Sequence, residues 1–196
     1  MSEVLFETRD VYSRVLSAEE IGLVQNFFDA NPEYFLTVNG QPAAPDQAHA
    51  DFNDVPPAHL GFASRWFAGV FDRSHELVGV VEVLSDFVVP GVWHIGLLML
   101  ASRLHGRGIA APLYASLEDW MRREGTVWLR LGVVVGNAKG ERFWFKHGFF
   151  EVRVRAGIDT GGRVNSLRVL VKPMSDRDLA SYLALMPRDR PGSSLP

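Results

Sequence analysis

The sequence predicts an α/β fold in which helices flank a mixed, mostly antiparallel central sheet. Three observations lead to this prediction. Apolar strand patterns separated by turns indicate antiparallel strands, and the continuous apolar run 127–135 indicates a central strand covered on both faces. Amphipathic patterns indicate helices around them. With 196 residues, of which 47% are hydrophobic, the chain is long enough for one full core, expected over residues 1–174.

The first half of the chain is predicted to form one helix and three strands. The helix covers residues 17–30 and begins with the capping-box pattern Ser17-Ala-Glu-Glu20. A long, partly irregular and proline-rich connection follows, which allows a short helix from Asp46 to Phe52. Three apolar patterns separated by turns then predict an antiparallel meander, with strands at 66–71, 77–84 and 93–100.

The second half alternates helices and strands. A helix of about four turns is predicted between Gly108 and Gly125, because apolar residues recur on one face and charged residues on the other. The central strand 127–135, a helix and a hairpin should follow. Residues 175–196 are expected to form a C-terminal helix, at 176–186, and a disordered tail rich in Pro, Gly and Ser. The remaining predicted elements are the helix 137–147 and the hairpin strands 149–155 and 164–171.

Composition excludes several classes of function. A net charge of −3 makes nucleic acid an unfavourable main partner, and the absence of cysteine excludes disulfides, thiolate metal sites and a cysteine nucleophile. The histidines show no metal-ligand spacing, so no metal is expected. The first residues lack the pattern of a signal peptide, and no apolar run reaches the ~18 residues of a membrane span. A cytoplasmic protein without membrane contact is therefore expected.

The most informative segment runs from Val92 to Ala111, where an apolar strand leads through a short loop to Gly106 and Gly108 and then into a helix. The first amides of a helix have no partner within it, and they lie at the positive end of its dipole. A phosphate group is therefore a suitable ligand for this loop.

Two motifs make the chain resemble the GNAT superfamily of N-acetyltransferases over roughly residues 11–173. One is His105-Gly-Arg-Gly-Ile-Ala110, which is similar to the family signature Q/R-x-x-G-x-G/A. The other is Asn137 to Phe149, which is similar to N-x-x-A-x-x-φ-Y-x-x-x-G-F, where φ is an apolar residue. In addition, Asn31-Pro-Glu-Tyr-Phe35 resembles a bacterial subgroup of this superfamily.

The resemblance implies a central sheet splayed at an acetyl-CoA site, with acetyl-CoA as cosubstrate. Its pantetheine arm would lie between the strands 93–100 and 127–135 and bond to the amides of Leu98 and Leu100. Asn137 would bond the pantetheine, and Phe143 and Trp144 would pack beside the thioester. The pyrophosphate would rest on the loop formed by His105, Gly106, Arg107, Gly108, Ile109 and Ala110.

Catalysis requires a base, because an amine attacks a thioester only in its neutral form. His94 lies where some family members carry a catalytic glutamate, and Glu82 interrupts an apolar strand; both are candidates. Trp144 stands where many members carry a tyrosine thought to protonate the thiolate, and indole cannot release a proton near neutral pH. Tyr34 is the best substitute.

The resemblance implies transfer of an acetyl group to the amine of a small molecule. Two alternatives remain open: an acyl-CoA-binding regulatory module without turnover, and an N-acetyltransferase acting on a protein or peptide. A homodimer is also compatible with the resemblance. The residues expected to bind the acceptor lie in or after the first helix and beside the third meander strand: Phe28, Asn31, Tyr34, Phe35, Asp86 and Trp93.

Overall fold

The computed structural model describes residues 3–195 and contains one eight-stranded sheet with helices on both faces. The strands run in the order β1-β2-β3-β4-β5-β6-β8-β7. They are β1 Val4–Glu7, β2 Val11–Val15, β3 Ser64–Asp72, β4 Leu77–Ser85, β5 Val92–Leu100, β6 Trp128–Val134, β7 Phe150–Asp159 and β8 Val164–Pro173. The helices are α1 Ile21–Asp29, α2 Glu33–Val38, α3 Gln47–Asn53, α4 Ala110–Arg123, α5 Ala138–Lys146 and α6 Leu179–Leu185.

All strand pairs are antiparallel except β5 and β6, which are parallel. This confirms the predicted mixed, mostly antiparallel sheet and the meander β3–β4–β5. The parallel pairing covers only Val92–Ile95 against Trp128–Leu131. Just beyond it, the register between β4 and β5 shifts at Gly96, which indicates a β-bulge. The two strands therefore separate above Ile95 and leave a wedge between them.

Helices cover the sheet on opposite faces. Helix α4 packs its apolar side on one face, where Trp120 meets Trp66 and Trp93 with ring centroids 5.2 and 5.7 Å apart. Because successive strand residues point to opposite faces, Phe67 lies on the other face, where Phe52 of α3 packs against it at 5.6 Å. None of the helices within residues 3–195 is long and apolar enough to cross a membrane.

The structure differs from the prediction at both ends of the chain and in the proline-rich connection. Strands β1 and β2 form a hairpin beside β3, and α2 interrupts the connection. Elements of four to six residues carry too few apolar positions to reveal their period. The expected disordered tail is wrong for Pro187–Asp189, which form a 3₁₀ helix with Asp189 fully buried. The outer ends of the predicted regions, residues 1, 2 and 196, lie outside the described residues.

Candidate functional site

The wedge between β5 and β6 exposes backbone amides of β5. Ala101 N–H donates to the carbonyl of Val78 in β4 at 2.8 Å. Since alternate amides of a strand point to opposite edges, those of Leu98 and Leu100 point away from β4 and into the wedge. Neither residue pairs with β6. These are the two amides that the sequence analysis singled out, and they are free to bond a ligand lying between the strands.

The glycine loop at the start of α4 forms a row of free donors. Gly106 and Gly108 have φ of +73° and +77°, and no atom lies within 4 Å of where a Cβ would stand. Within the described residues, the amides of Gly106, Gly108, Ile109 and Ala110 donate to no protein acceptor. They lie at the positive end of the α4 dipole, so the loop can hold an anion such as a pyrophosphate.

His105 and Arg107 differ from their neighbours in this loop because their amides already donate hydrogen bonds within the protein. Their amides donate to Ser102 and Leu104, at 3.1 and 3.3 Å, and are not available to a ligand. The His105 Nε2 lies 3.0 Å from the carbonyl oxygen of Leu100, so the imidazole ties the loop to the end of β5. The Arg107 side chain is exposed and can add charge near a bound phosphate.

Sequence reasoning passed over Arg103. The motif was read from His105 onward, which put His105 in the Q/R position of the signature Q/R-x-x-G-x-G/A. Counted back from Gly106, the spacing of that signature places its Q/R position at Arg103. The Arg103 guanidinium forms an exposed ion pair with Glu76, 2.8 Å away. The spacing of the signature was the signal that could have found this residue.

Helix α5 begins shortly after the end of β6 that borders the wedge. Asn137 caps this helix, because its Oδ1 accepts from the amide of Gly140 at 3.0 Å, and its side-chain amide remains available as a donor. Trp144 is buried between Tyr114 and Phe149, with ring centroids 5.4 and 5.2 Å away. Phe143 is half-buried beside it at 5.0 Å. The Trp144 ring thus forms part of the core between α4 and α5.

Glu82 lies beside the bulge where the wedge opens. Its Oε1 accepts from Arg65 Nε at 2.6 Å, and its Oε2 lies over Gly96, so closely that a Cβ there would overlap it. Gly96 is exposed. Burial raises the pKa of Glu82 above its usual range, against the opposing effect of Arg65. Glu82 is thus a carboxylate with one anchored and one free oxygen at the mouth of the wedge.

Arg65 connects this carboxylate to helix α3, and the charge of Glu82 acts on Tyr34. Arg65 also donates to the carbonyl oxygens of Asp51 and Phe52, both at 2.6 Å, and so fixes Glu82 relative to the end of α3. Tyr34 is half-buried, and burial together with the charges of Asp51 and Glu82 raises the pKa of its hydroxyl. The phenol therefore keeps its proton near this acidic group.

His94 lies deeper along β5, where the strand is still paired with β6. Its ring stacks on Phe87 at 4.8 Å, and its Nδ1 lies 3.3 Å from Arg130 Nη1. Burial, together with the charge of Arg130, lowers the pKa of His94 to about 3. An imidazole with so low a pKa is a weak base, so these contacts favour Glu82 over His94.

The structure does not bring the expected acceptor residues together. Phe28 and Phe35 are buried in the core, with ring centroids 4.9 Å apart. Trp93 stacks on Trp66 under α4, on the face opposite Glu82. Asp86 accepts from the amide of Gly91 at 2.7 Å and holds a turn. Among the expected residues, Tyr34 is the one whose pKa responds to the charge of Glu82.

Asn31 connects α1 to the glycine loop. Its Oδ1 accepts from the amide of Ser102 at 2.8 Å, and its side-chain amide donates to Phe27 at 2.8 Å. At the other end of α2, the Val38 carbonyl accepts from Thr160 at 2.9 Å and from Asn165 at 2.6 Å, in the hairpin β7–β8. Helix α2 and Asn31 before it therefore connect the segment that precedes the glycine loop with the hairpin β7–β8.

The wedge, the amide row at α4 and the capped start of α5 are arranged as expected for a protein that binds a long phosphorylated ligand between two strands. The chain matches the acetyltransferase (GNAT) family over residues 24–149. Since this match covers more than half of the chain, the protein belongs to the GNAT acetyltransferase family. A comparison with curated proteins finds no significant match. The subgroup indicated by Asn31 to Phe35 stays a prediction.

Solved structures show the same fold at low sequence identity. The acetyltransferase from Thermus thermophilus is 19% identical with a TM-score of 0.65, covering 84% of this chain and 97% of its own. Spermidine N-acetyltransferase from Vibrio cholerae, solved with CoA and spermine, is 17% identical with a TM-score of 0.64 and coverages of 85% and 96%. The ribosomal-protein-S18-alanine N-acetyltransferase from Escherichia coli is 13% identical, with a TM-score of 0.59 and coverages of 86% and 97%.

Proposed function

We propose that this protein is an acetyl-CoA-dependent N-acetyltransferase that transfers an acetyl group to a small amine, with Glu82 as the general base. The observation that carries the proposal is the position of Glu82, whose free Oε2 lies over the exposed Gly96 where the wedge opens. An amine that reaches the open part of the wedge would meet this carboxylate there.

The residues around the wedge fit acetyl-CoA. Gly106 and Gly108 leave space where other residues would carry a Cβ, and the free amides that follow suit a pyrophosphate. Leu98, Leu100 and Asn137 offer hydrogen-bond donors to a pantetheine arm. When bound, acetyl-CoA supplies an acetyl group on a thioester with coenzyme A thiolate as leaving group.

Glu82 is suited to remove a proton from the acceptor. In the transfer, a bond forms between the amine nitrogen and the acetyl carbon, and the carbon–sulfur bond breaks. The nitrogen must lose a proton, which Glu82 Oε2 takes directly or through one water. The raised pKa of this carboxyl makes it a better proton acceptor than an exposed glutamate.

Tyr34 is the proposed partner of Glu82 on the leaving-group side. Trp144 donates hydrogen bonds only and lies in the core, so it does not replace the missing tyrosine as an acid. The Tyr34 hydroxyl retains its proton because of burial and the nearby carboxylates. It can therefore donate a hydrogen bond to a developing thiolate.

The proposal is tested by coenzyme binding and by thiol release. Acetyl-CoA at millimolar concentration should raise the melting temperature by mass action, and a panel of small amines should release CoA thiol. Gly108→Ala should weaken acetyl-CoA binding about tenfold, since the new Cβ enters the phosphate space and is strained at positive φ. Gly125→Ala is the matched control, because Gly125 also has positive φ (+91°) but follows the other end of α4.

The outcomes separate the proposal from its alternatives. Binding of acetyl-CoA without thiol release from any amine or peptide would favour a regulatory module. Release with peptides but with no small amine would favour a protein or peptide acetyltransferase. The absence of any shift in melting temperature would contradict the coenzyme site itself.

A further inference from the structure

The sheet face that carries Glu82 has opposite charges at its two sides. Residues paired across neighbouring strands point to the same face, which places Glu82, His94, Arg130, Arg153 and Arg155 together on one face. On the β4 side, the carboxylates are those of Glu82 and, from α3, Asp51. On the β6–β7 side, the charged groups carried by the strands are guanidinium groups. This face can therefore orient a ligand that carries both signs of charge.

The arginine side holds more positive charge than its own neighbours neutralise. Arg130, Arg153, Arg155 and Arg188 lie around the carboxylate of Asp189. That carboxylate is already occupied, because Arg130 donates two hydrogen bonds to it, at 2.8 and 3.0 Å, and Tyr182 a third at 2.5 Å. Excess positive charge in a half-buried position is unfavourable without an anion.

Two of these arginines keep donors without a partner. Arg188 is only 7% exposed, yet its Nε and Nη1 are buried and make no hydrogen bond within the described residues. The buried Nε of Arg153 is likewise unpartnered. Buried polar groups are almost always satisfied, and unsatisfied ones indicate a missing ligand or water. The guanidinium of Arg188 is held over the ring of Phe87, 5.8 Å from its centroid.

Two glycines of the central strands lie between the two charged sides. Gly96 of β5 and Gly132 of β6 are both exposed, although each interrupts a largely buried strand. Above Gly132, Arg155 is paired with Leu167 of β8, at the level of Val134 in β6, towards the open end of the wedge. The floor between Glu82 and Arg155 thus consists of these two glycines and of apolar side chains, those of Leu97, Val134 and Leu167.

We propose that the acceptor carries an anionic group besides its amine, and that Arg155 and Arg188 bind that group while the amine lies at Glu82. This inference rests on the proposed function. Three strand spacings of about 4.8 Å and the wedge between β5 and β6 lie between β4 and β7, and Glu82 and Arg155 both have long side chains. One small zwitterion can bridge the remaining gap. A carboxylate or a phosphate suits a guanidinium equally well.

Matched pairs of amines test this proposal. L-Phenylalanine against phenethylamine adds a carboxylate to the same amine, and phosphoethanolamine against ethanolamine adds a phosphate. The anionic member of at least one pair should have the higher kcat/KM, by about tenfold or more. Arg155→Ala should bring that ratio close to one by lowering kcat/KM for the anionic amine. Arg123→Ala, an exposed arginine on α4, is the control and should leave the ratio unchanged.

Each outcome decides between the two proposals. Equal turnover within both pairs, or a ratio that survives Arg155→Ala, would overturn the anion site while the acetyltransferase function stands. If no amine is acetylated, the proposed function fails, and the anion site is tested by the melting temperature alone. At constant ionic strength, phosphoethanolamine or L-phenylalanine should then raise the melting temperature of the wild type more than that of the Arg155→Ala variant. An equal rise in the two proteins would overturn the anion site.

Discussion

Two arginine–carboxylate pairs lie on the same face of the sheet and differ in how much of each carboxylate is used. In the pair Arg65–Glu82, the side chains are 14% and 21% exposed, and one carboxylate oxygen remains free. In the pair Arg130–Asp189, they are 7% and 0% exposed, and both carboxylate oxygens accept hydrogen bonds. The first pair is accessible to a ligand and the second is closed.

The pKa values of the two carboxyl groups follow this difference. Burial raises the pKa of Glu82, and the single contact with Arg65 does not offset it. Burial acts in the same direction on Asp189, but the hydrogen bonds and charge of Arg130 outweigh it, so the pKa of Asp189 is lowered. A carboxylate with a raised pKa is suited to accept protons, whereas one with a lowered pKa is suited to stabilise the fold.

The largest expected effect is on activity and follows from Glu82→Gln. The amide keeps the size of the side chain but cannot accept a proton, so kcat/KM should fall by about 10²–10⁴-fold. The stabilisation by acetyl-CoA in a melting experiment should not change, since Glu82 is not part of the coenzyme loop. Glu124→Gln, at an exposed position after α4, is the control. Retained activity in Glu82→Gln would remove Glu82 from the mechanism.

The next effect is on stability and follows from Asp189→Asn. This change leaves Arg130 buried beside other arginines without a charged partner, which should cost about 3 kcal/mol of unfolding free energy. Because the folded pKa of Asp189 is lowered, its contribution is full above the unfolded value of about 3.9 and is lost as the pH falls through the folded value. Urea unfolding at pH 7 and pH 3 measures both effects.

The control for this prediction is Asp176→Asn, at an exposed position. It should change the unfolding free energy by less than about 0.5 kcal/mol. If Asp189→Asn unfolded at the same urea concentration as the wild type, the closed pair would have no structural role, and the contrast between the two pairs would fail.

The smallest expected effect is on activity and on its pH dependence, and it follows from Arg65→Lys. Lysine retains the charge but cannot donate at once to Glu82 and to the two carbonyls of α3, so kcat/KM should fall about tenfold. Activity should be lost as the pH falls through the pKa of Glu82. Since Arg65 lowers that pKa, a weaker contact should move this acid limb to higher pH.

Arg14→Lys provides the matched control for that experiment. Arg14 forms a comparable pair with Glu20, with 2.6 Å between Nη2 and Oε1, outside the site. The pH profile of Arg14→Lys should coincide with that of the wild type. An acid limb that stays in place in Arg65→Lys would show that Arg65 holds α3 but does not tune Glu82.

Much of the fold could be predicted because long apolar patterns identify their elements without tertiary information. The meander, the central strand and α4 are predicted from such patterns, and the structure confirms them. The hairpin β1–β2 and α2 were missed, since short elements owe their stability to the neighbours on which they pack. The glycine loop is local in sequence, and its free amides follow directly from Gly106, Gly108 and the helix start.

The acceptor side was harder to predict because its residues come from distant parts of the chain. By itself, the sequence determined the mixed sheet and the glycine loop with its free amides, since periodicity and glycine spacing act over a few residues. Only the tertiary structure decided that Glu82 lies at the open wedge, while His94 lies under Arg130. It also decided that Asp189, in the segment expected to be a disordered tail, closes an ion pair with β6. Cross-strand register and burial set these contacts and the pKa values that follow, and neither property is local in sequence.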